Sequence, residues 1–304
     1  MKVEGFCGGC SPSQPIVACS DSFRRIGLLK VHWECWSDCN LACSFCYRTR
    51  GTPLNTHDAK LLLSAVRTGG AQAIVFAGGD PSIRPDIAEL IESAGSNGLG
   101  VEIQTNAHHL NSKFLQALRT VQLVGLSLDG PDAASHDKFR NKPGNFARVL
   151  SLMKQLNEWK LPVIVRSVVA KANFGRIPEI GQLLATFDNV KRWSLLEFNA
   201  VGAGYEHQND YAIDQQTFRA AVDGASDAPH GRTPIDVYAG EKKVGTYALI
   251  TPAGYVYGTG SSLENGTYPT IGSILTDHLQ DIAMRLPFSK KNHERRYVEI
   301  MPTR

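Results

Sequence analysis

The chain has 304 residues, 42% of them hydrophobic and 20% charged, with a formal net charge of +3. That is a globular composition with length for a full core, and a slight charge without Lys/Arg runs argues against a nucleic-acid partner. No apolar run is long enough to span a bilayer, and Met1–Phe6 does not read as a signal peptide, so no membrane partner is expected.

Residues 1–25 are rich in Gly, Ser, Pro and Cys and read as an irregular arm. Cys7, Cys10 and Cys19 lie there, either as free thiols or, with Cys35, as ligands of a second cluster. Seven cysteines, crowded before residue 47, do not form a secreted disulfide framework and fit a reducing cytoplasm. From Leu28 short apolar runs alternate with amphipathic segments. Leu28–Glu34, Gln72–Ala77, Val101–Thr105, Val121–Leu128, Val163–Ala170 and Arg192–Phe198 read as strands. Between them Ala59–Arg67, Asp86–Ala94, Ser112–Arg119, Phe146–Trp159 and Ile177–Phe187 read as helices, the fourth through Phe146, Val149, Leu150, Met153, Leu156 and Trp159 at helical spacing. The alternation over residues 26–210 predicts a parallel α/β sheet with right-handed crossovers, open or curved into a partial barrel, with ligand sites at the C-terminal strand ends. Residues 211–304 read as an extension over the open side or bottom of the barrel. It holds a helix at Gln215–Val222, a hairpin through Pro252-Ala253-Gly254 and a helix at Ile274–Arg285.

The first strand runs into Cys39-Asn40-Leu41-Ala42-Cys43-Ser44-Phe45-Cys46-Tyr47. Thiolates are soft ligands suited to iron–sulfur clusters and zinc. Three of them can hold three corners of an iron–sulfur cube, and no cysteine follows Cys46 to take the fourth. Read alone, the loop is also compatible with a zinc site or with three unrelated buried thiols. Cys35 repeats the first spacing, but only the Cys39 register continues to a third cysteine.

The CxxxCxxC spacing, with Phe45 and Tyr47 flanking the last cysteine, resembles the cluster loop of the radical S-adenosylmethionine (radical SAM) superfamily. Other strand ends extend the likeness over residues 28–204. Gly78-Gly79-Asp80-Pro81 resembles the family's GGEP turn, with Asp for Glu. Gln104-Thr105-Asn106-Ala107 resembles its TNG turn, with Ala107 where Gly is usual. Ser127-Leu128-Asp129-Gly130 resembles the SxDG segment of the peptide-modifying branch, and the likeness continues through His136–Arg140 and Gly144–Leu150. Phe198–Gly204, including Val201, resembles the loop after the sixth strand.

The resemblance implies a (βα)6 partial TIM-type barrel. It implies a catalytic [4Fe-4S] cluster on Cys39, Cys43 and Cys46, with SAM chelating the open iron. Phe45, Tyr47, Gly78, Gly79, Asp80, Pro81, Asn106, Ser127, Asp129, Arg148, Phe198 and Val201 would then line the SAM site, with the Asp80 region receiving the SAM amino group and Arg148 its carboxylate. Reductive cleavage of SAM, fed by an external one-electron donor such as a flavodoxin or ferredoxin, would give a 5′-deoxyadenosyl radical that abstracts hydrogen from substrate. The substrate expected is a ribosomal peptide. A small sugar or amino-acid natural product is the alternative within the family, and a non-catalytic iron–sulfur protein the alternative outside it. The tail keeps the outline of a SPASM or twitch extension but has no cysteine, which excludes Cys-ligated auxiliary clusters there. Arg166 and Glu197, charged residues in apolar strands, are expected to pair with each other or to lie on an outward face, with one of them facing substrate as the alternative. His57, His108, His109, His136 and His207 fit no metal spacing and read as loop or surface residues.

Overall fold

The computed structural model describes residues 21–229 and 233–297. A one-turn helix α1 (Ser22–Arg25) leads into β1 (Lys30–Trp36). Then follow α2 (Thr56–Thr68), β2 (Ala73–Gly78), α3 (Ile87–Ser96), β3 (Gly100–Thr105), α4 (Ser112–Leu118) and β4 (Leu123–Ser127). Two helices, α5 (Ala133–Arg140) and α6 (Asn145–Glu158), precede β5 (Val163–Val169), α7 (Ile177–Leu184) and β6 (Val190–Glu197). The six expected strands are present with shifted limits. Helix starts are written in the sequence: Asn55, Asn111, Asp132 and Asp214 each accept the N–H of the residue three positions on, satisfying a donor the first turn leaves free. The Asp132 cap starts α5, which periodicity did not mark.

The remaining elements are α8 (Ala203–Glu206), α9 (Gln208–Tyr211), α10 (Gln215–Asp227), β7 (Ile235–Tyr238), β8 (Ala248–Ile250), β9 (Tyr255–Gly258), β10 (Gly272–Ser273), α11 (Leu279–Arg285) and α12 (Lys290–Tyr297). The expected hairpin forms as β8 and β9. The helix expected from Ile274 starts only at Leu279, because Gly272 and Ser273 pair with β9 and the Asp277 side chain accepts the Ser273 N–H in a turn.

The strand order is β10-β9-β8-β1-β2-β3-β4-β5-β6-β7. From β8 to β7 every neighbour is parallel. The sheet is open between β7 and β8, as a partial barrel requires, and the rings of Tyr238 and Tyr247 face each other there at 5.8 Å. Extension strands thus prolong both edges of the same sheet. Among the described residues no helix is long and apolar enough to cross a membrane.

Side chains alternate across a strand, and here the two faces differ in kind. Val31, Trp33, Ile74, Phe76, Val101, Ile103, Val124, Leu126, Val163, Val165, Trp193 and Leu195 turn outward into the core beneath the helices. Lys30, His32, Glu34, Glu102, Arg166, Arg192 and Ser194 alternate with them and turn inward. Helix α12 closes the base of this polar lumen. His293 Nε2 accepts the backbone N–H groups of Leu29 and Lys30 at 3.0 and 3.2 Å, and its Nδ1 donates to the Thr246 carbonyl at 2.9 Å. Tyr297 Oη meets His32 Nε2 at 2.5 Å, and Arg296 reaches Ser194 and Asp236.

The described end of the N-terminal arm is packed, with Phe23 buried and its N–H on the Gly69 carbonyl. Cys7, Cys10 and Cys19 lie outside the described residues. Cys35 is fully buried in the core and donates to the Ala77 carbonyl at 3.4 Å; burial pushes its thiol up to about 12.

Burial holds His293 down to about 4, so the folded chain keeps it neutral while the unfolded chain takes up a proton near pH 6.5. Its stabilising contribution is complete above the unfolded value and is lost as pH falls toward the folded one. Urea unfolding at about pH 7.5 and pH 5 should show native stability falling by roughly 2 kcal/mol more than that of His293→Gln. Equal losses would remove His293 as the source.

Candidate cluster and cofactor site

The cysteine loop leaves β1 at the C-terminal end of the sheet, opposite α12. Cys39, Cys43 and Cys46 are all partly exposed and free. A turn joins the last two, with the Cys46 N–H on the Cys43 carbonyl at 3.2 Å. Cys39 Sγ accepts from the Leu41 N–H and from Asn106 Nδ2, each at 3.4 Å, and the Cys43 thiol donates to the Arg140 carbonyl at 3.3 Å. The three sulfurs lie within electrostatic reach of one another. Burial raises Cys39 and lifts Cys43 to about 11, with Arg48 and Arg140 opposing the rise at one site each. Thiols held this way ionise when a cation takes their charge.

The two glycines after β2 bring that turn against the loop. A Cβ on Gly78 would fall on the Trp36 carbonyl, and one on Gly79 on the Asp38 carbonyl. The close approach is sealed by Gly79 N–H to Trp36 O at 2.6 Å and Asp80 N–H to Asp38 O at 2.9 Å. Asp80 is 1% exposed, and its carboxylate is occupied by protein donors. It caps the short turn that Pro81 begins by accepting the Ser82 N–H at 2.8 Å, and it accepts from Thr105 Oγ1 at 3.0 Å and from the Asn106 N–H at 2.7 Å. Asn106 passes the restraint on through Nδ2 to Cys39 Sγ and to Asn40 Oδ1. Ala107 has φ +61°, the left-handed region that glycine enters at least cost, which accounts for Gly as the usual residue in the turn it resembles.

Asp129 plays the same part after β4. It is fully buried, accepts the Val168 N–H at 2.7 Å and pairs with Arg140 Nε at 2.6 Å. Arg140 in turn lies over the Phe45 ring at 5.2 Å and lends its carbonyl to Cys43. His136, expected at the surface, is 0% exposed: Nδ1 accepts the Asp129 N–H and Nε2 meets Asn145 Oδ1 at 3.1 Å. Phe45, Phe139, Ala170 and Phe198 form a second apolar cluster behind the loop. Tyr211 closes it, with its ring 5.5 Å from Phe45 and its hydroxyl 2.7 Å from Ser44 Oγ. Val201 is buried, and Gly202 and Gly204 lie against the backbone of Cys46 and Phe45. Ser127 is half-buried at the end of β4, Tyr47 is half-exposed, and Arg148 is exposed on the first turn of α6.

Arg166 and Glu197 do not pair. Arg166 reaches Glu102 at 2.6 Å, and Glu197 pairs with Lys243 at 2.8 Å. Sequence reading also missed Tyr211 and Glu34. Glu34 is buried on β1, is held by Thr49 and by Tyr257 Oη at 3.2 Å, and has its carboxyl raised by burial. A lone carboxylate in an apolar strand was the available signal.

Asp129→Asn leaves Arg140 buried without its charge partner, and Arg140 is what Phe45 and Cys43 rest on. It should cost about 3–5 kcal/mol in urea unfolding and reduce iron retained after anaerobic reconstitution. Native iron content in this variant would show that the loop does not depend on Asp129.

The donor set fits an iron–sulfur cube: three soft ligands in one loop, amide donors on the first, and the one further described cysteine, Cys35, turned into the core. Among the described residues no three His, Cys, Asp or Glu side chains converge on a single ion. A sequence model of the radical SAM superfamily matches residues 33–184. The chain is 32% identical over 160 residues to the AdoMet-dependent heme synthase of Methanosarcina barkeri, covering 50% of this chain and 46% of that one. It is 30% identical over 167 residues to the PqqA peptide cyclase of Rhodopseudomonas palustris, covering 53% and 44%. The chain spans about half the length of the curated relatives it matches. Streptococcus suis SuiB, solved with its precursor peptide SuiA, has the same fold, with a TM-score of 0.68 over 93% of this chain and 70% of that one at 14% identity. The matched half holds the three cysteines and the glycine and aspartate turns packed around them, and on that match the chain belongs to the radical SAM superfamily.

Proposed function

We propose that this chain is a radical SAM enzyme that abstracts a hydrogen atom from its substrate. The observation that carries the reading is a three-thiol loop at the C-terminal end of a parallel partial barrel, buttressed by the turns after β2, β3 and β4. Cys39, Cys43 and Cys46 would hold a [4Fe-4S] cluster, leaving one iron to the amino and carboxylate groups of SAM. When bound, the two supply reductive cleavage of a sulfonium and a 5′-deoxyadenosyl radical, with the electron coming from a flavodoxin- or ferredoxin-type donor.

The chain's own residues hold and orient. Leu41 N–H and Asn106 Nδ2 steady the Cys39 sulfur. Asp80 and Asp129 have their carboxylates filled by protein donors, so we assign them to positioning: Asp80 sets Asn106, and Asp129 sets Arg140 and the end of β5. Ser127, Arg148 and the backbone at Gly78, Gly79 and Pro81 are the groups left to meet SAM. An Arg fork suits its carboxylate, and glycines suit close approach. Phe45, Tyr47, Phe198 and Val201 would form the apolar side of the site. The cytoplasm is the compartment we favour, supported by thiols that are free among the described residues.

A ribosomal peptide is the substrate we favour, supported by likeness to the PqqA peptide cyclase. Likeness to the AdoMet-dependent heme synthases keeps a small-molecule substrate open as the second reading, though not specifically the sugar or amino acid expected from sequence.

Anaerobic reconstitution followed by dithionite and SAM should yield 5′-deoxyadenosine from the native chain. The Cys39/Cys43/Cys46→Ala chain should yield none and retain little iron. Absence of 5′-deoxyadenosine from native chain holding about four irons would overturn the enzyme reading.

A further inference from the structure

Carboxylates in the lower lumen are each shared between cations. Glu102 on β3 receives Lys30 Nζ from β1 at 3.0 Å and Arg166 Nη2 from β5 at 2.6 Å. Asp236 on β7 receives Arg192 from β6 at 3.4 Å and Arg296 from α12. Glu102 serves two cations, so its group of three keeps one surplus positive charge among the described residues. Surplus charge in a water-poor interior is costly until an anion answers it.

Arg166 is the most exposed of the four cations, although its unpartnered nitrogen is itself enclosed. Its guanidinium crosses β4 over Gly125, and a Cβ on that glycine would fall on Nη1. Nη2 is held by Glu102, whereas Nη1 is enclosed without an acceptor, as is Nε of Arg296. The Arg166 side chain is 14% exposed, against 5% for Lys30 and 2% for Arg296. It pairs in register with Ser127, the last residue of β4, and lies within electrostatic reach of Tyr47, which follows Cys46.

We propose that Arg166 is a substrate-orienting residue whose free Nη1 takes a carboxylate of the substrate and so sets which carbon lies before the cysteine loop. The substrate class is then a carboxylate-bearing molecule, either a peptide through an acidic side chain or a small organic acid. Glu102 fixes the guanidinium in plane, and Lys30 keeps Glu102 from cancelling its charge. This inference rests on the radical SAM reading for the identity of the site.

The test is isothermal titration of the full reconstituted chain, saturated with SAM so that the SAM carboxylate is already placed. The probes are succinate, N-acetyl-aspartate N-methylamide, and succinamide as the uncharged control. The native chain should bind the first two and not the third; tighter binding of the aspartyl probe assigns a peptide source, and tighter binding of succinate a small acid. Arg166→Gln should weaken the bound probe roughly ten- to a hundredfold, while Lys154→Gln, an exposed cation on α6, should match native. Arg166→Lys, which keeps the charge and loses the fork, should fall between, and it decides the matter where Arg166→Gln does not fold. Three results would overturn the proposal: no native binding of either acid, equal affinity in native and both Arg166 variants, or SAM affinity falling in step with the probe, which would put Arg166 on SAM instead. 5′-Deoxyadenosine formation by the native chain, measured in parallel, scores the radical SAM reading independently.

Discussion

A carboxylate buried at the end of a strand needs donors, and the cysteine loop is held in place by how that need is met. Asp80 and Asp129 sit where β2 and β4 stop, both shut away from water. The donors they recruit come from the next element over: Thr105 and Asn106 beyond β3 for one, Val168 on β5 and Arg140 on α5 for the other. Those donors then touch the cysteines, Asn106 at Cys39 and Arg140 at Cys43. The loop itself has no regular structure and borrows its order from this frame. Removing either carboxylate strands charged or polar partners, which is costlier than losing a single hydrogen bond.

The same logic extends down the lumen with the signs reversed. Near the mouth, Asp80 has only neutral donors and Asp129 has a backbone donor and a single cation, Arg140. Below them Glu102 and Asp236 are each shared by two cations. The outer face of the sheet is apolar and supplies the hydrophobic stabilisation, so the inner face is free to carry groups that a packed core would reject.

Local signals were legible in the sequence and distant ones were not. Short apolar runs exposed the strands, and side-chain caps such as Asn55 and Asn111 sit beside the helices they start. The three cysteines fall within one loop, so their spacing was legible and, with the other strand-end turns, carried the family resemblance. Arg166 and Glu197 looked like partners because each is a lone charge in a late strand, yet Arg166 takes Glu102, sixty-four residues away and across Gly125. His136 gave no sign of burial, since its two partners are a backbone N–H and an amide. Helix α12 was missed for a physical reason: its sequence KKNHERRY has no apolar stripe, and it buries His293, Arg296 and Tyr297 through polar contacts with the lumen instead.

That helix also bears on how the molecule is made. His293 grips the backbone at the start of β1 across 263 residues of chain, so β1 leaves the ribosome long before the helix that seats it. Contacts of such separation form late and slowly. Until they form, Lys30, Arg192 and the other lumen charges face open water at the base of an unstoppered sheet, and the nascent chain carries an exposed polar channel where the finished protein has a sealed floor. Closure of the floor therefore waits until α12 has emerged, and factors that shelter nascent chains would meet this one with its floor still open.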